Sequence, residues 1–390
     1  MQFLRSLQFQ FRVSIASSRA LIVNKTFSTK TFKITQGGNL FFDFNNISVS
    51  NIILCTAWQD HVDINVVDSK SHCDVKFEEN VVDNLLVISD SEQNTLQQSK
   101  IDIAVTCPEL CNITINARQL SLNVRNKLHG DVNVTCAGGT ISLDKIRGHK
   151  LNFNCGNTDI VIHKLIEGNI NVQRCKNFNS KLVNGDIINV ECTERIKVGA
   201  VYSKNATFCS KSSIEIDSTH GVCKLQNSNE DIKVNSLDGS CDILSESGNI
   251  FIHINKIDHN SNSTLVSKKG NTNVNIDAAV NTKFLLKSKA KELKIISNLF
   301  LHELMDDNYV VGYHLQDLAD KNSNDKGSGK INLSSAYKQS LYTFINDSVK
   351  DGKNITSSIA SSISINSYGS IQLETISWMD NIKKKYGLIK

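Results

Sequence analysis

The chain has 390 residues, of which 40% are hydrophobic, 6% are aromatic and one is proline. This hydrophobic content is enough to bury a core and excludes a disordered protein. The formal net charge is +4, but six of the 43 basic residues precede the first acidic residue, Asp43, so the remaining chain is close to neutral. We therefore expect neither a nucleic-acid partner nor attraction to an anionic membrane surface.

The N-terminal stretch, MQFLRSLQFQFRVSIASSRALIVNKTFSTK, contains no acidic residue and carries arginines at positions 5, 12 and 19. Its longest apolar run, ALIV, is too short for the core of a secretory signal and far too short for a transmembrane segment. Arginines seven residues apart fall near one face of a helix. The pattern predicts a mitochondrial presequence over residues 1–32 and hence a mitochondrial protein. A plain basic terminus on a cytoplasmic protein is the alternative.

Glycines recur with a regular period through the middle of the chain. They are Gly130, Gly148, Gly168, Gly185, Gly221 and Gly239, with gaps of 18, 20, 17, 36 and 18 residues. The gap of 36 corresponds to two periods, with Tyr202 and Ser203 where a glycine is missing. Most of these glycines precede a short apolar–polar–apolar run, and a second such run follows about ten residues later. Alternation of this kind in short pieces is typical of strands.

The repeat predicts an all-β fold, a repetitive β-solenoid resembling a parallel β-helix. Each coil would contain two short strands and about 18 residues, and coils would stack because a single coil cannot bury its own inner face. The residues expected to face one shared core include Val134, Phe153, Val190, Leu225 and Ile243. Antiparallel hairpins in a sandwich are the alternative, although a sandwich gives no reason for a constant glycine period.

The chain divides into four predicted segments. The presequence is followed by an N-terminal β segment over residues 33–115 and by the solenoid repeats over residues 116–300. A C-terminal β segment and cap would cover residues 301–390. Within it, the sequence DLADKNSNDKGSGK predicts a flexible loop near residues 317–330.

Five of the eleven cysteines follow the same period. Cys136, Cys155, Cys175, Cys192 and Cys209 are spaced by 19, 20, 17 and 17 residues, one per coil. Cys223 and Cys241 occupy a slot where the first coil has valine. We predict buried, reduced thiols that pack as small hydrophobic groups. Stacking at about 5 Å would also suit a metal or redox ladder, whereas a disulfide within one row would strain the strand geometry.

Candidate catalytic motifs are missing from the sequence. The pair in CPELC, residues 107–111, is isolated and weak as a metal motif. Asp131, Asn169, Asp186 and Asn249 stand beside turns, where such side chains usually satisfy local backbone groups. His129 and His220 share a turn position but would lie about 24 Å apart, too far to ligate one metal. We therefore predict no catalytic, cofactor-binding or metal-binding residues and no cofactor.

The stretch IDIAVTCPELCNITI, residues 101–115, leads directly into the glycine-punctuated coils. In this respect the chain resembles the "putative adhesin" domain of unknown function. It also resembles the animal "family with sequence similarity 185 member A" proteins, which combine a basic leader, this domain and a tail with a Ser-Trp-aromatic-like motif. The tail here reads YGSIQLETISWMDNI, with Met379 after Trp378 in place of the aromatic residue. The resemblance covers roughly residues 35–380 and implies a β-solenoid-like fold without an established activity.

Three classes of function fit such a chain. The first is a non-catalytic interaction or scaffold protein that presents a strand-built surface to a protein partner. The second is a carbohydrate-active enzyme of the β-helix type, which needs carboxylates clustered on one face of adjacent coils. The third is a metal or thiol-redox protein that uses the cysteine row. We favour the first class, because the outward positions mix Asn, Lys, Ser and Thr with scattered acidic residues.

Overall fold

The computed structural model describes residues 28–68, 75–90, 100–257, 261–277, 280, 282–288, 293–296, 300–306, 309–314 and 361–376. All the regular structure in these ranges is β-strand, and 22 strands join in one sheet. None of the described ranges contains a helix with the length and hydropathy of a membrane span. Most of the predicted presequence, the loop near 317–330, Trp378 and Cys73 lie outside the described residues.

The strands follow one another closely along the chain. In order they are β1 (Ser28–Phe32), β2 (Gly38–Phe44), β3 (Val49–Ala57), β4 (Val62–Asp68), β5 (Val75–Asn80), β6 (Leu85–Asp90), β7 (Lys100–Pro108), β8 (Cys111–His129), β9 (Val132–Cys175), β10 (Asn177–Cys192), β11 (Ile196–Ser210), β12 (Ile214–Asn227), β13 (Ile232–Ser245), β14 (Ile250–Lys256), β15 (Asn262–Ser267), β16 (Thr272–Asp277), β17 (Thr282–Ser288), β18 (Leu293–Ile296), β19 (Phe300–Asp306), β20 (Tyr309–His314), β21 (Ser362–Ser367) and β22 (Ile371–Ile376).

Parallel pairing of successive coils builds the central part of the molecule. Ile196 pairs with Ile214, and Ile214 with Ile232, each 18 residues further along the chain. Pairing continues through the glycine position, so one long strand contains the second run of one coil and the first run of the next. The fold is therefore an all-β, β-solenoid-like stack, as the glycine period predicts.

The core is a single continuous cluster along the inside of the stack. The five residues predicted to face it, Val134, Phe153, Val190, Leu225 and Ile243, are at most 2% exposed, which confirms that prediction. Burial alternates along each strand because successive side chains point to opposite faces of a sheet.

Neighbouring coils approach each other closely at the glycine corner. Gly168 has a φ of +144°, and a Cβ atom added to it would collide with the backbone carbonyl oxygen of Gly148 on the preceding coil. That oxygen belongs to a backbone held in the sheet and has little room to retreat. The period of glycines in the sequence therefore records a steric requirement between coils.

Asx side chains beside the corners bond to the next coil rather than to their own turn. Asp131 Oδ1 accepts hydrogen bonds from the backbone N–H groups of His149 at 2.8 Å and Lys150 at 2.9 Å. Asp186 accepts from Lys204 Nζ at 3.2 Å. Asn249 Oδ1 likewise accepts from the next coil, from the N–H of residue 271, at 2.9 Å. The prediction of a local role is wrong for these three residues, because stacking brings donors of the next coil within their reach. The donors are backbone N–H groups for Asp131 and Asn249 and the Lys204 ammonium group for Asp186.

Both ends of the stack depart from chain order. At the C-terminal end, β21 lies between β15 and β17, and β22 lies between β16 and β18. Thr272 consequently pairs with Ile371, 99 residues away. At the N-terminal end, β2 lies between β6 and β8, and β3 lies between β7 and β8. At each end, a coil from a distant part of the sequence thus lies between the outermost coil and the coil that is next to it along the chain.

Antiparallel strands cover the outer edges of these terminal coils. β5 pairs with β6, β4 with β7, and β1 with β4 at one end. At the other end β20 pairs with β17 and β19 with β20. Such covering satisfies backbone groups that would otherwise present an open edge to another chain. The segment boundaries predicted at residues 32, 115 and 300 remain predictions.

Candidate interaction ridge

One outward side chain per coil stands immediately before the glycine corner or at the equivalent position, and together these form what we name the corner ridge. Its members are Leu110, His129, Arg147, Glu167, Asn184, Tyr202, His220, Asp238 and Lys256. Strand register or direct side-chain contact joins each member to the next. With coils spaced by about 4.8 Å, the ridge runs for roughly 38 Å along the stack.

Side-chain contacts order the ridge at two places. Arg147 Nε lies 2.6 Å from Glu167 Oε2, and both side chains are partly exposed. Further along, the Tyr202 ring stacks on the His220 ring, with centroids 4.4 Å apart and an interplanar angle of 4°. His220 Nδ1 lies 3.2 Å from Asp238 Oδ2. The Arg147–Glu167 ion pair contributes little stability in this exposed setting, but it and the His220–Asp238 contact restrict the rotamers of the ridge.

His129 and His220 lie on this ridge five coils apart, which confirms the prediction that they share a turn position. The sequence pattern indicates no role for either of them, and in that pattern Tyr202 is only a residue near a missing glycine. Ser203 pairs with Gly185 on one side and with Gly221 on the other, so it is the residue in the glycine slot. Tyr202 is therefore a ridge residue. Its unchanged spacing to the ridge residues Asn184 and His220 on the two neighbouring coils is the signal in the sequence that could identify it.

Two further exposed apolar side chains stand near the same corner of the stack. Ile187 is 51% exposed, Tyr202 46% and Val222 45%. Ile187 and Val222 lie within two residues of the corner, on the coils before and after Tyr202. We call Ile187, Tyr202, His220 and Val222 the corner patch. It combines apolar area with an aromatic pair on three successive coils.

The cysteine row is only partly as predicted. Cys136, Cys155, Cys175 and Cys192 are buried in one inward row, but Cys209 lies opposite Glu191 and is partly exposed. The row continues instead through Ser210, Asn227 and Ser245. Cys223 and Cys241 are buried in their separate slot, as predicted.

A bulge explains the error at Cys209. Arg174 has a φ of +60°, and it and Gln173 both face solvent, so one extra residue stands before Cys175. Cys175 and Cys192 are then opposite each other at a spacing of 17, whereas the next coil returns to a spacing of 18 and places Ser210 opposite Cys192. A constant spacing in the sequence therefore does not give a constant register.

Thiol contacts within the row are uneven. Hydrogen bonds from the Cys155 thiol and, to a smaller extent, from Thr158 lower the pKa of Cys136 despite its burial. The same bond and burial raise the pKa of Cys155. The Cys136 sulfur lies 3.4 Å from Thr158 Oγ1. Within the described ranges, no three His, Cys, Asp or Glu side chains converge as a group that could hold a metal ion.

Outward carboxylates are paired with basic residues of neighbouring strands. Partial burial acts to raise the pKa of Glu215, but the hydrogen bond from Arg195 and the charge of Lys197 outweigh it and hold that pKa below its ordinary value. A general acid for glycoside cleavage needs the opposite shift. This carboxylate therefore serves as the partner of two basic residues on the adjacent coil.

No family model and no curated protein matches the chain. Similar solved structures include a "putative adhesin" from Parabacteroides merdae, with 13% identity, a TM-score of 0.30 and coverage of 65% of this chain and 90% of that chain. Another, from Parabacteroides distasonis, has 14% identity, a TM-score of 0.27 and the same coverage. A third, from Bacteroides fragilis, has 16% identity, a TM-score of 0.21 and coverage of 64% and 97%.

Proposed function

We propose that the protein is a non-catalytic β-solenoid scaffold that binds a partner protein through the corner patch. The observation that supports this most directly is the half-exposed Tyr202 ring, which is stacked on His220, with exposed Ile187 and Val222 near the same corner on the neighbouring coils. Tyrosine is among the residues that carry most of the binding energy at protein interfaces. An aromatic ring already fixed by stacking loses little conformational freedom when a partner covers it.

The surroundings of the patch suggest the chemistry of the partner. Arg147 and Glu167 lie on one side of it along the ridge, and Asp238 and Lys256 lie on the other. Charges of both signs on a polar rim around an apolar centre are the usual anatomy of an interface. We therefore expect an extended segment that places an apolar or aromatic side chain on Tyr202 and charged side chains on the flanking residues.

Tyr202→Ala provides the sharpest test, with Tyr368→Ala as the matched control. Both tyrosines are nearly half exposed, at 46% and 47%, but Tyr368 lies in the turn before β22, away from the ridge. Proteins captured by the wild-type chain in its native compartment are identified by quantitative mass spectrometry, and the direct binder is then tested in purified form. We expect Tyr202→Ala to lose at least about tenfold in affinity, as loss of an interface hot spot does.

Equal binding by Tyr202→Ala and wild type, with equal melting temperatures, would disprove the assignment of the patch. Loss of binding in Tyr368→Ala to the same extent would also contradict it, because the effect would not then be specific to the ridge. Ile187→Ser offers an independent variant at the same corner. Ile187→Ser should weaken binding of the partner while the stack of Tyr202 on His220 stays intact.

The cellular setting is part of this proposal. The acid-free, arginine-bearing leader supports import into mitochondria and removal of residues 1 to about 32. The resemblance to the "putative adhesin" domain and to the animal "family with sequence similarity 185 member A" proteins fits a scaffold of this kind. Sequencing the mature N-terminus of the native protein tests the leader. Intact Met1 in the bulk of the protein would contradict it.

A further inference from the structure

Two thiols of the cysteine row lie unusually close together. Cys175 and Cys192 are opposite each other in the parallel pairing of β9 and β10, and they are 0% and 2% exposed. Their sulfur atoms are 2.8 Å apart. Even two carbon atoms pack no closer than about 3.5–4.0 Å, so a modest rotation would bring these sulfurs to bonding distance.

Strand spacing at this place is compatible with a disulfide. Neighbouring strands lie about 4.8 Å apart, and disulfides join residues whose Cα atoms are about 4.4–6.8 Å apart. Strain is expected where a disulfide must fit a regular ladder. The ladder is irregular here, because the register shifts between Val190 and Cys192 and the bulge at Arg174 stands directly before Cys175.

We infer that Cys175 and Cys192 are a disulfide-forming dithiol that links two adjacent coils covalently. The oxidant is a small disulfide of the glutathione type. One cysteine thiolate attacks it, forming a mixed disulfide and releasing one small thiol. The second cysteine then attacks the mixed disulfide, which forms the Cys175–Cys192 bond and releases a second small thiol. The two protons lost by the cysteines end on the two released thiols, and the oxidant is reduced by two electrons.

Burial sets the time at which this exchange takes place. A thiol that is shielded from solvent in the folded stack cannot meet the oxidant, so the reaction belongs to the folding chain, before β10 closes over β9. After closure, the same burial protects the disulfide from reduction. The bond would then hold the two adjacent coils together covalently.

A second pair of opposed cysteines provides the contrast. Cys223 and Cys241 are also paired in parallel register and buried. Their thiols contact the hydroxyl groups of Thr219 and Ser263. The register there shows no shift. The regular ladder keeps these sulfurs in the geometry that strains a disulfide, so this pair should stay reduced.

The test uses the full chain, refolded with oxidised glutathione or with dithiothreitol. Free thiols are then alkylated, and the unreduced protein is mapped by peptide mass spectrometry. We expect one linked peptide pair that contains Cys175 and Cys192, nine alkylated cysteines of the eleven in the chain, and a higher melting temperature that reduction in denaturant reverses. Native protein exposed to the same oxidant should form the link at least about tenfold more slowly, since both thiols are shielded.

Variants then test the assignment. Cys175→Ser and Cys192→Ser should each abolish the redox-dependent shift in melting temperature, and Cys223→Ser should retain it. Mapping of the wild-type chain decides the matter even if a variant fails to fold. Eleven alkylated cysteines after oxidative refolding, or a link that joins a different pair, would overturn the inference.

Discussion

The close approach of coils at the glycine corner makes a quantitative prediction for Gly168→Ala. The added methyl group would meet the carbonyl oxygen of Gly148, and the residue would keep a φ of +144°. Backbone strain of this kind costs on the order of 1–3 kcal/mol. The collision adds to it, because relief requires two hydrogen-bonded coils to separate. We expect a total loss of at least about 4 kcal/mol, which places the variant among the severe ones.

Gly37→Ala separates strain from collision. Gly37 has a φ of +81°, and an added Cβ atom would have no neighbour within 4 Å. This variant should lose only about 1–2 kcal/mol, the cost of a left-handed conformation for an L-residue. Urea unfolding followed by circular dichroism and by fluorescence measures both variants and checks that one transition is observed. Losses that agree within about 1 kcal/mol would refute the steric explanation of the glycine period.

Four other predictions follow from single side chains. Val190→Asp buries an unpaired carboxylate and should cost at least about 4 kcal/mol in a urea titration, whereas the same charge at the adjacent exposed residue, Asn189→Asp, should be nearly neutral. Asp131→Ala removes the acceptor of two backbone N–H groups and should cost about 1–2 kcal/mol by the same measurement. Burial lowers the pKa of His253, so the unfolded chain binds the proton more tightly than the folded chain. The free energy of unfolding should therefore fall as the pH drops below about 6.5. His253→Gln should reduce this dependence of stability on pH. Burial raises the pKa of Cys223 to about 12, so its thiol should resist alkylation in the folded chain and react on unfolding, as peptide mapping would show.

The inward rows are the part of this fold that the sequence predicts best. Alternation with a period of two fixes which residues face inside, and stacking repeats that choice from coil to coil. Val134 and Ile243 could therefore be assigned to one core from their offsets after the glycines alone. The glycine period itself comes from a contact between coils, which is why it persists although most other positions vary.

The face on which a residue lies is harder to predict from the sequence where it depends on strand register. The equal spacings before and after Cys192 conceal a bulge at Arg174, and a bulge changes the face of every residue that follows until the ladder recovers. Nothing in the local pattern marks it, because glutamine and arginine are equally ordinary on an exposed strand. Cys209 was assigned to the wrong row for this reason. The corner patch is not visible in the sequence because a serine takes the glycine slot, and the pattern alone does not show that Ser203 fills that slot and Tyr202 stands before the corner.

The ends of the stack could not be predicted from periodicity, for a physical reason. A strand with alternating apolar residues is complementary to any other such strand, so the pattern of β21 contains no information about whether it follows β17 or enters between β15 and β17. That choice is decided by which arrangement buries both faces of the terminal coils. A coil inserted from a distant segment ties the chain to itself at each end, so the terminal coils cannot fray one at a time as they do in a simple linear array. Antiparallel strands beyond them pair with the outer edges of β6, β7 and β17. A stack held at both ends keeps its central coils in fixed register, and fixed register is what aligns Tyr202, His220 and Asp238 into one surface.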